Sequence, residues 1–191
     1  MARALRLPGD PGDPDALEVR ITAMRRRHLR AVLRIEQQVY PRPWTFGLFL
    51  GEISQRASRV YLVARVGSEV VGYAGMFRAV DDGHITTIAV DPAWQRHGVA
   101  TRMLLALARA AVERGCRNLT LEVRMSNSGA QALYQRFGFV PAGVRKGYYP
   151  ETGEDALVMW ANDADTELYA ARLREIESGV PGRTVMEGDG V

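Results

Sequence analysis

Apolar and polar positions along this chain change their period several times, and each change marks a predicted element. Leu17-Glu18-Val19-Arg20-Ile21 alternates, which predicts a short strand. From His28 to Val39 the spacing turns helical, with Leu29, Val32, Leu33 and Glu36 on one face. Tyr40-Pro41-Arg42-Pro43-Trp44 breaks that helix, and Thr45 is placed to cap a second one reaching about Gln55. Arg59–Val66 and Val70–Ala79 are rich in Val and Tyr, and Gly67-Ser68-Glu69 joins them as a hairpin. His84–Val90 gives a third strand after the turn Asp81-Asp82-Gly83. Gly98–Arg114 is the strongest helical run. Arg102, Arg109 and Glu113 fall on its outer face, and Gly115 ends it. Asn118–Val123 reads as a strand and Asn127–Phe137 as a helix stopped by Gly138. Val140–Val144 and Ala156–Trp160 supply two closing strands.

Strands alternating with helices predict an α/β domain over residues 17–160, partly antiparallel because of the hairpins. Residues 1–16, with Pro8-Gly9-Asp10-Pro11-Gly12-Asp13-Pro14-Asp15, read as a flexible arm. Residues 161–191 read as a tail with one short amphipathic helix, Thr166–Glu177, carrying Leu168, Leu173 and Ile176. The last dozen residues are expected to be disordered.

Composition narrows the classes. The 191 residues are 47% hydrophobic and 25% charged, in the range of globular proteins with a real core. A net charge of +3 is too small to argue for nucleic acid, and no nucleic-acid partner is expected. The run Arg25-Arg26-Arg27-His28-Leu29-Arg30 is read as the solvated start of a helix rather than a phosphate contact. No apolar run approaches the roughly 20 residues needed to span a bilayer, so no membrane partner is expected. The single cysteine, Cys116, excludes an internal disulfide framework and favours a reducing, cytoplasmic setting.

Two groups of residues can carry chemistry. Gln95-Arg96-His97-Gly98-Val99-Ala100 follows the strand Thr86–Val90 and opens the long helix. A helix start offers unpaired N–H groups to a diphosphate, and Gly98, lacking Cβ, lets backbone approach it closely. The Lys-Ser/Thr pair of a nucleotide P-loop is absent, as is GxGxxG. The alternative is a tight entry to a buried helix. Glu122 lies in the apolar strand Leu121-Glu122-Val123, either as a base or as a structural charge paired with Arg124. Tyr134, on the helix face of Ala130, Leu133 and Phe137, is a core residue or an acid. His28, His84 and His97 are scattered, and neither a metal site nor a nucleophile elbow is present.

Ile88-Ala89-Val90-Asp91-Pro92 and Gln95–Ala100 resemble the acetyl-CoA-binding motif of the GNAT N-acetyltransferases, Gln/Arg-x-x-Gly-x-Gly/Ala. Ile35-Glu36-Gln37, Pro43-Trp44, Leu121-Glu122-Val123-Arg124, Ser126-Asn127, Ala132-Leu133-Tyr134, Gly138-Phe139 and Tyr148-Tyr149-Pro150 extend the resemblance to the bacterial ribosomal-protein alanine branch (RimI type). The resemblance implies a GNAT-like mixed central sheet of about six or seven strands with helices on both faces. It implies that Ile88, Ala89 and Val90 pair with the pantetheine of acetyl-CoA. Arg96, His97, Gly98, Val99, Ala100 and Thr101 wrap its pyrophosphate, and Asn127 touches it. Glu122 is then the general base, direct or through water, and Tyr134 the general acid. Glu36, Trp44, Tyr148 and Tyr149 border the acceptor, a protein or peptide N-terminus and possibly that of a ribosomal protein. The chemistry agrees, because direct attack by a neutral amine in a ternary complex needs no protein nucleophile. A small amine, a lysine side chain or a non-catalytic acyl-CoA sensor are the alternatives.

Overall fold

The computed structural model describes residues 17–188. The arm read into residues 1–16 lies outside them. Eight strands form one mixed sheet: β1 (Glu18–Ala23), β2 (Arg59–Val66), β3 (Glu69–Ala79), β4 (Asp82–Val90), β5 (Asn118–Arg124), β6 (Val140–Tyr149), β7 (Glu154–Ala161) and β8 (Arg183–Glu187). Their spatial order is β6-β7-β5-β4-β3-β2-β1-β8. Helices cover both faces. α1 (Leu29–Val39) and α2 (Phe46–Ser54) bury Leu29, Val32, Ile35 and Phe49 against Val63, Tyr73 and Ala89. α3 (Val99–Glu113), α4 (Ser128–Arg136) and α5 (Glu167–Ser178) build the larger core on the opposite face, with Leu62, Ala74, Leu119 and Leu121.

Local chemistry explains the boundaries. Thr45 Oγ1 accepts the Leu48 N–H, fixing the start of α2. At the end of α3, Cys116 N–H bonds to Ala111 C=O and Gly115 N–H to Val112 C=O. That pair of bonds turns the chain through a left-handed residue, and Gly115 supplies it at φ 80°. Gly138 ends α4 the same way at φ 83°, with Phe139 N–H on Tyr134 C=O. Phe49, fully buried, stands edge-on to Tyr73 with ring centroids 5.5 Å apart and packs 5.2 Å from Trp44. Phe49→Ala should cost about 3–5 kcal/mol of stability, read as a shift in denaturant midpoint at unchanged slope.

The structure corrects the reading of the fold in two places, both involving the tail. Within the last dozen residues, expected to be disordered, Arg183–Glu187 forms β8, which pairs in parallel with β1 and brings the sheet to eight strands. Arg102 is not on an outer face. It is 1% exposed and among the largest fully buried side chains, because the segment after α5 and the start of β8 lie over it.

Candidate active site

The sheet is open at its centre. β4 and β5 are parallel neighbours, but their ladder holds only four pairs and stops at Ile85–Leu121. Both strands continue, to Val90 and Arg124, each supported on its other side by β3 or β7. Beyond the last pair, the β5-facing edge of Thr86–Val90 has no strand partner, so an amide-bearing ligand can add there as a strand would. Tyr40, from the end of α1, turns its hydroxyl to Ile88 C=O and Thr87 Oγ1, both at 3.2 Å.

Below the carboxyl end of β4 comes the turn into α3. Arg96 and Gly98 both hold positive φ, 67° and 72°. Arg96 is an uncommon place for that conformation, which costs a non-glycine residue on the order of 1 kcal/mol or more. Arg102 N–H is the first to bond back, to Gly98 C=O at 3.1 Å. The N–H groups of Val99, Ala100 and Thr101 therefore precede the helical ladder, at the positive end of a 15-residue helix. Val99 and Thr101 bury their side chains, so only their backbone is available to a ligand. The reason for glycine at 98 differs from the expected one. A Cβ there would lie 2.7 Å from Arg102 Nη1 and 3.0 Å from Val180 Cγ1, so the space it leaves is filled by this chain, on top of the φ requirement. Asn127 spends its Oδ1 on the Ala130 N–H to cap α4, which leaves its amino group for other partners.

Glu122 sits one residue past the last β4–β5 pair, with its side chain 6% exposed. Arg124 is not its partner. Arg124 reaches the β6–β7 hairpin, pairing with Glu151 and Glu154 and lying 3.8 Å over the Tyr149 ring. Glu122 is held instead by His84 Nε2, 3.1 Å from Oε2, and Arg145, 3.0 Å from Oε1. The hydrogen bond from His84 is the main reason its carboxyl lies below the usual carboxylate range, with a further pull from Arg145 against the effect of burial. His84 is therefore not scattered, and with Arg145 and Tyr40 it is a site residue that the sequence reading missed. The available signal was strand parity in two parallel strands, which becomes usable only once their register is known.

Tyr134, 9% exposed, packs against Phe139 with centroids 5.8 Å apart. Its hydroxyl has no hydrogen-bond partner among the described residues. Burial pushes its pKa above that of a free phenol, and Tyr40 and Tyr149 add to the effect. Tyr148 and Tyr149 stand edge to face at 5.1 Å, and Tyr149 is pushed up to about 12, chiefly by burial. Trp44 is fixed by its own N–H, which donates to Glu36 Oε1 at 2.8 Å.

Glu36 is 2% exposed, its Oε2 has no hydrogen-bond partner among the described residues, and burial pushes its carboxyl up to about 7. A carboxyl raised by folding stabilises less once it must ionise, so its contribution falls as pH climbs from about 4.5 to 7. Glu36→Gln should flatten the decline in Tm across that window, measured by calorimetry from pH 4 to 8. Among the described residues no cluster of three metal-ligating side chains exists, and no helix is long and apolar enough to cross a membrane.

Comparison with known proteins agrees with this geometry. The profile of the Acetyltransferase (GNAT) family matches residues 29–139. The [ribosomal protein bS18]-alanine N-acetyltransferase of Escherichia coli K12 is 34% identical over 141 residues, 73% of this chain and 94% of that protein. The N-alpha-acetyltransferase RimI of Mycobacterium tuberculosis is 34% identical over 160 residues, covering 79% and 97%. The crystal structure of the ribosomal-protein-S18-alanine N-acetyltransferase from Escherichia coli superposes with a TM-score of 0.70 at 32% identity, covering 76% of this chain and 94% of that one.

Proposed function

This chain belongs to the GNAT acetyltransferase family and is an acetyl-CoA-dependent N-acetyltransferase, and from that premise we propose that its acceptor is the N-terminal α-amine of a protein, of the ribosomal-protein alanine type. The observation that carries the reading is the parted β4–β5 edge with a buried, ionised Glu122 one residue beyond the last pair. The names and coverage of the relatives support the acceptor class.

The donor supplies an acetyl thioester. Thr86–Val90 offer backbone groups to its amide-bearing arm, and the amides of Gly98–Thr101 hold its diphosphate, with Arg96 and His97 beside them. Several charge-assisted hydrogen bonds of about 1.5–3 kcal/mol each suffice without a lysine. Asn127 contacts the donor through its amino group. Trp44 on one side and Tyr148 and Tyr149 on the other border the acceptor, and Glu36 keeps the Trp44 loop in place. Glu122, kept anionic by His84 and Arg145, anchors the incoming ammonium and receives its proton through water. An α-amine with pKa about 7.7–8.0 needs only such a mild base, whereas lysine near 10.4 needs a stronger one. Tyr134, kept protonated, hydrogen-bonds to and then protonates the departing thiolate.

Thiol release from acetyl-CoA with a panel of acceptors tests the reading. Turnover with Ala- or Ser-starting peptides and none with internal lysines is the expected result. Release only with small amines or lysine side chains would reassign the acceptor. Tight acetyl-CoA binding with no release for any acceptor would leave a sensor.

A further inference from the structure

Arg102 is a buried guanidinium without an acidic partner among the described residues. Every one of its nitrogens is nonetheless engaged. Nη1 donates to His97 C=O at 3.1 Å, inside the turn that precedes α3. Nε donates to Thr184 Oγ1 at 3.0 Å, and Nη2 to Pro181 C=O, both beyond α5. The tail reaches the same turn with Val180, whose Cγ1 fills the space beside Gly98. It is anchored on both sides of that contact. Arg109 pairs with Glu177 through two hydrogen bonds of 2.8 and 2.6 Å, and β8 is zipped to β1 in parallel register from Glu18–Arg183 to Thr22–Glu187.

A buried charge surrounded by neutral acceptors keeps a desolvation cost that no counter-ion among the described residues offsets. This one lies at the start of α3, where the unpaired N–H groups and the helix dipole already favour an anion. A diphosphate at those amides would supply the missing counter-charge. Holding the His97 carbonyl back would also keep the following N–H groups turned outward before the ligand arrives.

We infer that Arg102 is a positioning residue for acetyl-CoA, and that it couples docking of the Val180–Thr184 segment to occupation of the diphosphate cradle. The inference rests on the assignment of that cradle to acetyl-CoA made above. Linkage requires the coupling to be reciprocal: a docked tail tightens acetyl-CoA binding, and acetyl-CoA tightens the tail.

The test uses the full chain, acetyl-CoA as ligand, and three readouts: calorimetric affinity, the split between kcat and KM, and hydrogen exchange along the backbone. In the wild type, acetyl-CoA should slow exchange both in the turn at residues 97–101 and in residues 180–187. Arg102→Met should raise Kd and KM for acetyl-CoA about tenfold, keep kcat within about twofold at saturation, and abolish the protection of 180–187. Thr184→Val, a milder change that leaves α3 untouched, should move both quantities the same way by about threefold. Protection of the turn without protection of the tail, together with wild-type affinity in folded Arg102→Met or Thr184→Val, overturns the coupling and leaves the cradle standing. Acetyl-CoA binding that protects neither segment overturns the cradle itself.

Discussion

Tyr134→Phe should lower kcat about 100- to 1,000-fold while acetyl-CoA affinity stays within a factor of two. The ring packs on Phe139, and phenylalanine keeps that contact, so the fold is retained. What is lost is an O–H with no partner among the described residues and a pKa raised by burial, hence a proton donor that stays protonated through the working range. The same dry surroundings disfavour a free thiolate, so the leaving sulfur gains most from that donor as its charge develops. Thiol release gives kcat and titration calorimetry gives Kd. An unchanged kcat removes Tyr134 as the acid, and a parallel loss of affinity makes it a packing residue.

The second large effect is on Glu122. Glu122→Gln should lower kcat/KM for the acceptor peptide about 100-fold, with little change in acetyl-CoA affinity. The amide is nearly isosteric, but it carries no charge for the ammonium and leaves His84 and Arg145 without their anion. Part of the loss should return at high pH, where the amine is already neutral and needs no base. A loss independent of pH between 7 and 10 assigns Glu122 to electrostatic anchoring rather than proton removal. Arg145→Ala is the companion measurement. Removing one cation makes the remaining carboxylate more basic, so its rate should fall far less than that of Glu122→Gln.

Much of the architecture was legible because the determinants are local. The Thr45 cap, the glycines at 115 and 138, the alternation of β1 and the Val- and Tyr-rich runs of β2 and β3 each lie within a few residues of what they decide. β8 was not legible for the opposite reason. Five residues with a half-buried pattern become a strand only because β1, more than 160 positions earlier, offers a free edge in parallel register. Arg102 was misread for the same cause: its place on the α3 wheel is that of a solvent residue, and only the returning tail makes it interior. In the proposed site, residue type and spacing singled out the turn at Gln95–Ala100, Glu122 and Tyr134 but left each an alternative, and only the family resemblance assigned their roles. The partners of Glu122 were not, because nearest in sequence pointed to Arg124. The register of β4 against β5 and of β6 against β7 delivers His84 and Arg145 instead.

The parallel pairing of β8 with β1 also sets an order of events during synthesis. Among the described strands, the one that emerges first from the ribosome cannot complete its outer edge until the one that emerges last is made. Throughout translation β1 exposes a row of unsatisfied amides and carbonyls, the kind of surface on which nascent chains stick to one another. Chains cut short by premature termination before residue 183 keep that exposed margin for good, and such fragments are natural clients for chaperones and proteases.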